Sequence, residues 1–121
     1  MMAIPCYVAS SPIHGIGCFT KINLTKGDLV WQFDEGFDTK LDLDAIKKLL
    51  PHQIEYFLTY TWKNLQSGEI LHCADHGKYF NHSEEANTVM SEDGLKCYAC
   101  RDILAKEELT INYEEMADIG L

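Results

Sequence analysis

A chain of 121 residues has room for one domain with a single core and little more. Its 46% apolar and 24% charged content is that of an ordinary globular protein, and no run approaches a membrane span. The net charge of −9 has the wrong sign for a DNA- or RNA-binding domain; it favours basic partners such as lysine-rich protein segments, or serves solubility alone.

Tyr7-Val8-Ala9 reads as a short strand stopped by Ser10-Ser11-Pro12. Gly15-Ile16-Gly17, following His14, puts glycine where φ is positive, where a ligand comes close, or where the chain simply turns. Cys18-Phe19-Thr20 resumes an extended run. Leu24-Thr25-Lys26-Gly27-Asp28-Leu29 is a turn feeding the strand formers Leu29 to Phe33. A similar pattern returns as Leu104-Ala105-Lys106-Glu107-Glu108-Leu109 at a constant offset of 80, which predicts two related turn-strand units.

Asp34 to Asp44 is polar and irregular, with Asp44 placed to cap a helix over Ala45 to Leu50. Pro51 ends that helix or begins the next. From His52 to Trp62, the spacing of Ile54, Phe57 and Leu58 predicts a helix that packs one face. Tyr56, Tyr60 and Trp62 crowd this stretch as core aromatics, with Tyr60 the best placed to line a ligand channel. Asn64 to Gly68 is a hairpin loop, and Glu69 to Cys73 the returning strand.

Lys78-Tyr79-Phe80-Asn81-His82-Ser83 follows, with Glu84, Glu85 and Asn87 close behind. An amide beside an imidazole offers donors and acceptors in fixed directions, suited to a small molecule carrying an ammonium and a carboxylate. The plainer alternative is a turn in which Asn81 and Ser83 bond local backbone. Asp93-Gly94 between two extended runs signals another hairpin. The whole reads as mainly β with a short helical insert, in several small sheets packed together.

The cysteines are Cys6, Cys18, Cys73, Cys97 and Cys100. An odd number, with neither a basic nor an apolar leader at the N-terminus, argues against a disulfide framework and makes the cytoplasm the default compartment. Cys97-Tyr98-Ala99-Cys100 has zinc-like spacing, but it lies in a strand-like run and has no second pair. His72, Cys73 and His76 do not complete it, so no metal site is expected.

Gly15-Ile16-Gly17, Asn81-His82-Ser83 and Glu107-Glu108-Leu109-Thr110-Ile111-Asn112-Tyr113, in that order, resemble the SET domain of protein lysine methyltransferases. The resemblance runs from about Tyr7 to Tyr113, with a variable insert near 40–66, and makes 1–121 a single domain. It implies a SET-domain (β-clip-like) fold with a knot-like C-terminal crossing. It also implies S-adenosylmethionine as cofactor and a basic, lysine-containing protein substrate, histones included. On matching positions, Gly15, Ile16, Gly17, Asn81, His82, Tyr60 and Tyr113 are implied at the cofactor. Tyr60, Phe80 and Ile111 are implied in the substrate channel, and Tyr113 as the catalytic residue.

The chain departs from the family pattern in several places. Lys106 stands where Gly is usual, Lys78 where Arg is usual, and Glu84 and Ala86 where Cys and Pro are usual. No cysteine-rich zinc segment flanks the domain. Only eight residues follow Tyr113, none of them aromatic, so closure of the lysine channel is expected from a second subunit in a homodimer, from the substrate, or not at all. The alternative from a different class is a catalytically silent SET-like module that binds a basic peptide.

The chemistry asks little of a base. A neutral amine must approach a methyl carbon on a sulfonium at about 3–3.5 Å. An apolar channel beside that sulfonium lowers a lysine pKa by desolvation and like-charge repulsion. The Tyr113 phenol, with a pKa near ~10, stays protonated and acts as an oriented dipole. Ile111, two residues earlier in the same strand, is expected beside it.

Overall fold

The structure, a computed structural model, describes residues 1–116 and 119–120; positions 117, 118 and 121, part of the tail named above, lie outside the described residues. Short strands dominate, as the turn spacing predicts. β1 (Cys6–Ser10), β2 (Ile16–Thr20) and β3 (Leu29–Gln32) open the chain. β4 (Thr39–Leu41), α1 (Leu43–Lys47), α2 (Pro51–Tyr60), β5 (Thr61–Lys63) and β6 (Ile70–His72) form the central insert. β7 (Asn81–His82), β8 (Thr88–Met90), β9 (Lys96–Ala99) and β10 (Glu108–Ile111) follow.

Three small sheets result, with strand orders β1-β2-β10-β7, β3-β9-β8 and β4-β6-β5. The first of these builds the site. β10, late in sequence, lies between β2, to which it is antiparallel, and β7, to which it is parallel. That insertion brings the loop before β2, the Asn81-His82 pair and the chain after Ile111 to one end of one sheet. Cys18, Val30, Trp31, Cys97, Ile103, Leu109 and Ile111 form the buried core beneath. Each large aliphatic side chain there contributes about 1.5–3 kcal/mol by leaving water. A smaller cluster of Ile46, Ile70 and Ile119, with Phe57 and Leu41 against it, holds the insert together.

The two turn-strand units are real, but their offset is 79 rather than the 80 read from the sequence. Leu24 and Ile103 bond each other reciprocally, N–H to carbonyl, at 2.7 and 2.9 Å. The Gly27 N–H donates to Ala99 O, and the Lys106 N–H donates to Thr20 O, the same relation with the halves exchanged. β3 pairs with β9 and β10 with β2, so each unit completes the other's sheet. The turns are closed by Asp28 N–H to Thr25 O and by Glu107 N–H to Leu104 O. Their third residues are Gly27 at φ +95° and Lys106 at φ +75°, the latter the one non-glycine with positive φ among the described residues. Matching leucines and lysines misled the reading by one residue, because the turn geometry aligns Lys106 with Gly27.

The helices also differ from expectation. Asp42, not Asp44, caps α1, its side chain accepting the Asp44 N–H, and the helix spans Leu43–Lys47. Pro51 begins α2 at its first turn, where its missing N–H costs nothing. α2 ends at Tyr60, so Thr61 and Trp62 belong to β5, paired to His72 and Leu71. Leu58 does not pack inward. It is half exposed, while Ile54, Phe57 and Tyr60 take the covered face. Burial pushes the Cys73 and Cys97 thiols up to about 12, so both are neutral packing groups rather than ready ligands or nucleophiles.

Candidate active site

The loop joining β1 and β2 is tied down from below. Ser11 N–H donates to Gly15 O at 2.9 Å, and Gly15 takes φ +47°, a region other residues rarely adopt. The Asn81 side-chain amide, at the start of β7, donates toward His14 O and Ile16 O at 3.1 Å each, and toward Glu108 at 2.8 Å. Ser11 Oγ donates to the same carboxylate at 2.7 Å. Glu108 is therefore the hub of the loop, a role missed in the sequence although the residue sits in the Glu-Glu-Leu motif. A Cβ on Gly17 would sit 2.8 Å from the Glu108 carboxyl carbon and 3.2 Å from Asn81 Nδ2. Gly17 thus makes room for the carboxylate, and it does not line the cavity that its neighbours line.

Tyr113 is positioned differently from the expectation. β10 stops at Ile111, and Tyr113 opens a single 3₁₀ turn, Tyr113–Glu115, capped by the Asn112 side chain. The ring is fixed by two contacts instead of by sheet pairing. His82 Nδ1 accepts the Tyr113 N–H at 3.0 Å, and Tyr113 Oη donates to the Phe80 carbonyl at 2.7 Å. In the neutral imidazole this puts the proton on Nε2, leaving that edge as a donor. The two rings lie 5.2 Å apart. Burial raises the Tyr113 phenol above its ordinary pKa, although the residue as a whole is 48% exposed. It is neutral at any physiological pH.

An aromatic group from α2 faces this pair. Tyr60 packs against Tyr56 at 4.9 Å and Tyr79 at 5.6 Å. Lys78 Nζ lies 5.5 Å from the Tyr79 ring centre and 3.4 Å from Tyr56 Oη, which also bonds His72 Nε2 at 3.0 Å. Burial opposes the Lys78 charge, but the Tyr56 hydroxyl and the tyrosine rings outweigh it and hold the pKa above the ordinary lysine value. Burial, then the Lys78 charge, lowers the His72 pKa, so this imidazole is neutral. Tyr56, Tyr79 and Lys78 were not singled out as site residues from sequence. Only their closeness to Tyr60 and to the Asn-His pair could have marked them.

Tyr60, Lys78 and Tyr79, though not Tyr56 or His72, line one cavity of about 840 Å³ together with His82 and Tyr113. Gly15, Ile16, Tyr60, Phe80, Asn81, His82, Ile111 and Tyr113 all line it, and Gly17 alone of the expected residues does not. The volume lies within the ~300–1,000 Å³ common for small-molecule sites. Polar and charged residues in its lining include His14, Lys78, Asn81, His82 and Tyr113, beside the Gly15–Ile16 turn.

A family model described as the SET domain matches residues 15–114. The chain belongs to the SET-domain family. Solved structures of similar fold include Chaetomium thermophilum Polycomb Repressive Complex 2 in an autoinhibited conformation bound to S-adenosylmethionine. There the identity is 22% and the TM-score 0.71, over 97% of this chain and 16% of that one. A Plasmodium falciparum protein described as a candidate histone methyltransferase matches at 18% identity and TM-score 0.65, over 93% of this chain and 95% of that one. The chain thus spans only about a sixth of the Polycomb chains it matches, and essentially the whole of the Plasmodium one. In this SET domain, the three motifs recognised in the sequence meet at one end of the first sheet, around the cavity.

Proposed function

We propose that this SET domain methylates lysine side chains of a basic protein substrate, with S-adenosylmethionine as methyl donor. The observation that carries the reading is the Tyr113 hydroxyl, fixed on the Phe80 carbonyl in a cavity that the Gly15–Ile16 loop also lines. The cavity residues fit the cofactor. The Lys78 ammonium suits a carboxylate, the Gly15–Ile16 backbone and His82 Nε2 suit its other polar groups, and Tyr60 offers a ring face. Asn81 contributes indirectly, because its amide nitrogen holds the loop carbonyls. S-adenosylmethionine supplies an electrophilic methyl group on a sulfonium.

The chain's own residues prepare the amine. Phe80 and Ile111 give the channel apolar walls, which disfavour an ammonium and favour the neutral, nucleophilic amine. The Tyr113 proton is committed to Phe80, so its oxygen presents only lone pairs to the channel. These accept an amine N–H and leave the nitrogen's own lone pair free to react. The oxygen is also the negative end of a fixed dipole, which favours the positive charge that develops on nitrogen.

Histones and a protein lysate incubated with methyl-labelled S-adenosylmethionine should yield labelled lysine by mass spectrometry, and calorimetry should detect cofactor binding. Cofactor bound without any transfer would leave the silent peptide-binding module. No binding would defeat both readings.

A further inference from the structure

Next to the main cavity lies a smaller one, of about 210 Å³. Trp62, Met90 and Met116 line both, so the two are neighbours sharing a wall. The small pocket is below the size of a cofactor site and suits a single side chain. Its remaining walls come from the tip of the β5–β6 hairpin, the β8–β9 turn and the 3₁₀ turn after Asn112.

Those walls are built rather than incidental. Asn64, buried in the β5–β6 tip, accepts the Gln66 and Ser67 N–H groups and donates to Asp93 O at 2.7 Å, joining the two hairpins. Gly94 presses so closely on Asn64 that a Cβ there would lie 2.6 Å from its amide nitrogen. Two carboxylates, Glu92 and Glu115, are also in the pocket's lining. One Glu115 oxygen accepts the Met90 N–H at 2.8 Å, which fixes the group at the pocket wall. Among the described residues neither glutamate takes part in an ion pair. An aromatic and thioether wall with carboxylates at the rim is complementary to an alkyl stem ending in a cation.

We propose that this pocket receives an arginine or lysine of the substrate protein that flanks the methylated lysine, and so sets site preference. The inference rests on the methyltransferase reading of the main cavity. Adjacent pockets place the two basic side chains on neighbouring positions of one bound segment, and a preformed cleft lowers the ordering cost of binding.

The test uses peptides of identical composition, each with one target lysine and one arginine walked through the flanking positions, so that overall charge attraction is constant. The wild type should favour arginine at one or two adjacent offsets, with KM roughly tenfold lower there, the size of a charge-assisted hydrogen bond. The Glu92→Gln/Glu115→Gln double variant keeps an oxygen for the Met90 N–H. It should flatten that profile while leaving cofactor affinity and the rate on an arginine-free peptide unchanged. A flat wild-type profile, or a preference that survives in the double variant, would overturn the pocket's role and leave the methyltransferase reading standing. Absence of transfer to every peptide would overturn both.

Discussion

Glu108 and Tyr113 do their work through what they hold. The Glu108 carboxylate binds Ser11 and Asn81, and Asn81 in turn holds the carbonyls of His14 and Ile16. Gly17→Ala would force the carboxylate out of that network. We expect a loss of about 1–3 kcal/mol by chemical denaturation, the range for overpacking a closed site, together with weaker cofactor binding. An alanine variant as stable as wild type would show that the carboxylate has room to move. Ile111 is buried, lines the cavity and carries no hydroxyl to tether a water beside the amine. Dimethyl- and trimethyl-lysine should therefore form at long reaction times, and Ile111→Tyr should shift products toward monomethyl-lysine. Mass spectrometry of time courses reads both, and strict monomethylation by the wild type would contradict the account.

The paired turns carry a contrast at the scale of elements. Lys106 adopts φ +75° where its counterpart Gly27 has φ +95°. Relief of left-handed strain outweighs the added freedom of glycine in the unfolded chain, so Lys106→Gly should stabilise by about 0.5–1 kcal/mol. Gly27→Ala should destabilise by at least as much. Thermal melts of the two variants should move in opposite directions. Local signals of this kind were largely legible in the sequence: the Asp93-Gly94 hairpin, the strand around Val8 and the start of α2 at Pro51 all depend on neighbouring residues. The site was legible as three motifs, because motif residues stay in order along the chain. What could not be read were the long-range contacts. The His82 bond to Tyr113 and the Glu108 hub exist only because β10 comes between β2 and β7, and the Lys78–Tyr56–His72 chain only because α2 packs beside β6 and the turn before β7. Leu58 shows the same limit, since helical spacing defines a face but not what that face meets.

For the whole molecule, the proposed function assigns the net charge of −9 a long-range attraction for a basic substrate. Raising salt from about 0.05 to 0.5 M shortens the Debye length severalfold, so KM for a basic protein should rise with little change in kcat. A salt-independent KM would assign the acidity to solubility alone. The central claim, that the joined motifs make a methyl-transfer site, depends on the Tyr113 hydroxyl. Tyr113→Phe removes one oxygen from a ring still held at its N–H by His82. The decisive measurement is the methyl-transfer rate and the S-adenosylmethionine dissociation constant for wild type and Tyr113→Phe side by side. The rate should fall by on the order of 10²-fold or more, the usual loss for one preorganised polar group, while the dissociation constant changes little. A phenylalanine variant as active as wild type would contradict the mechanism.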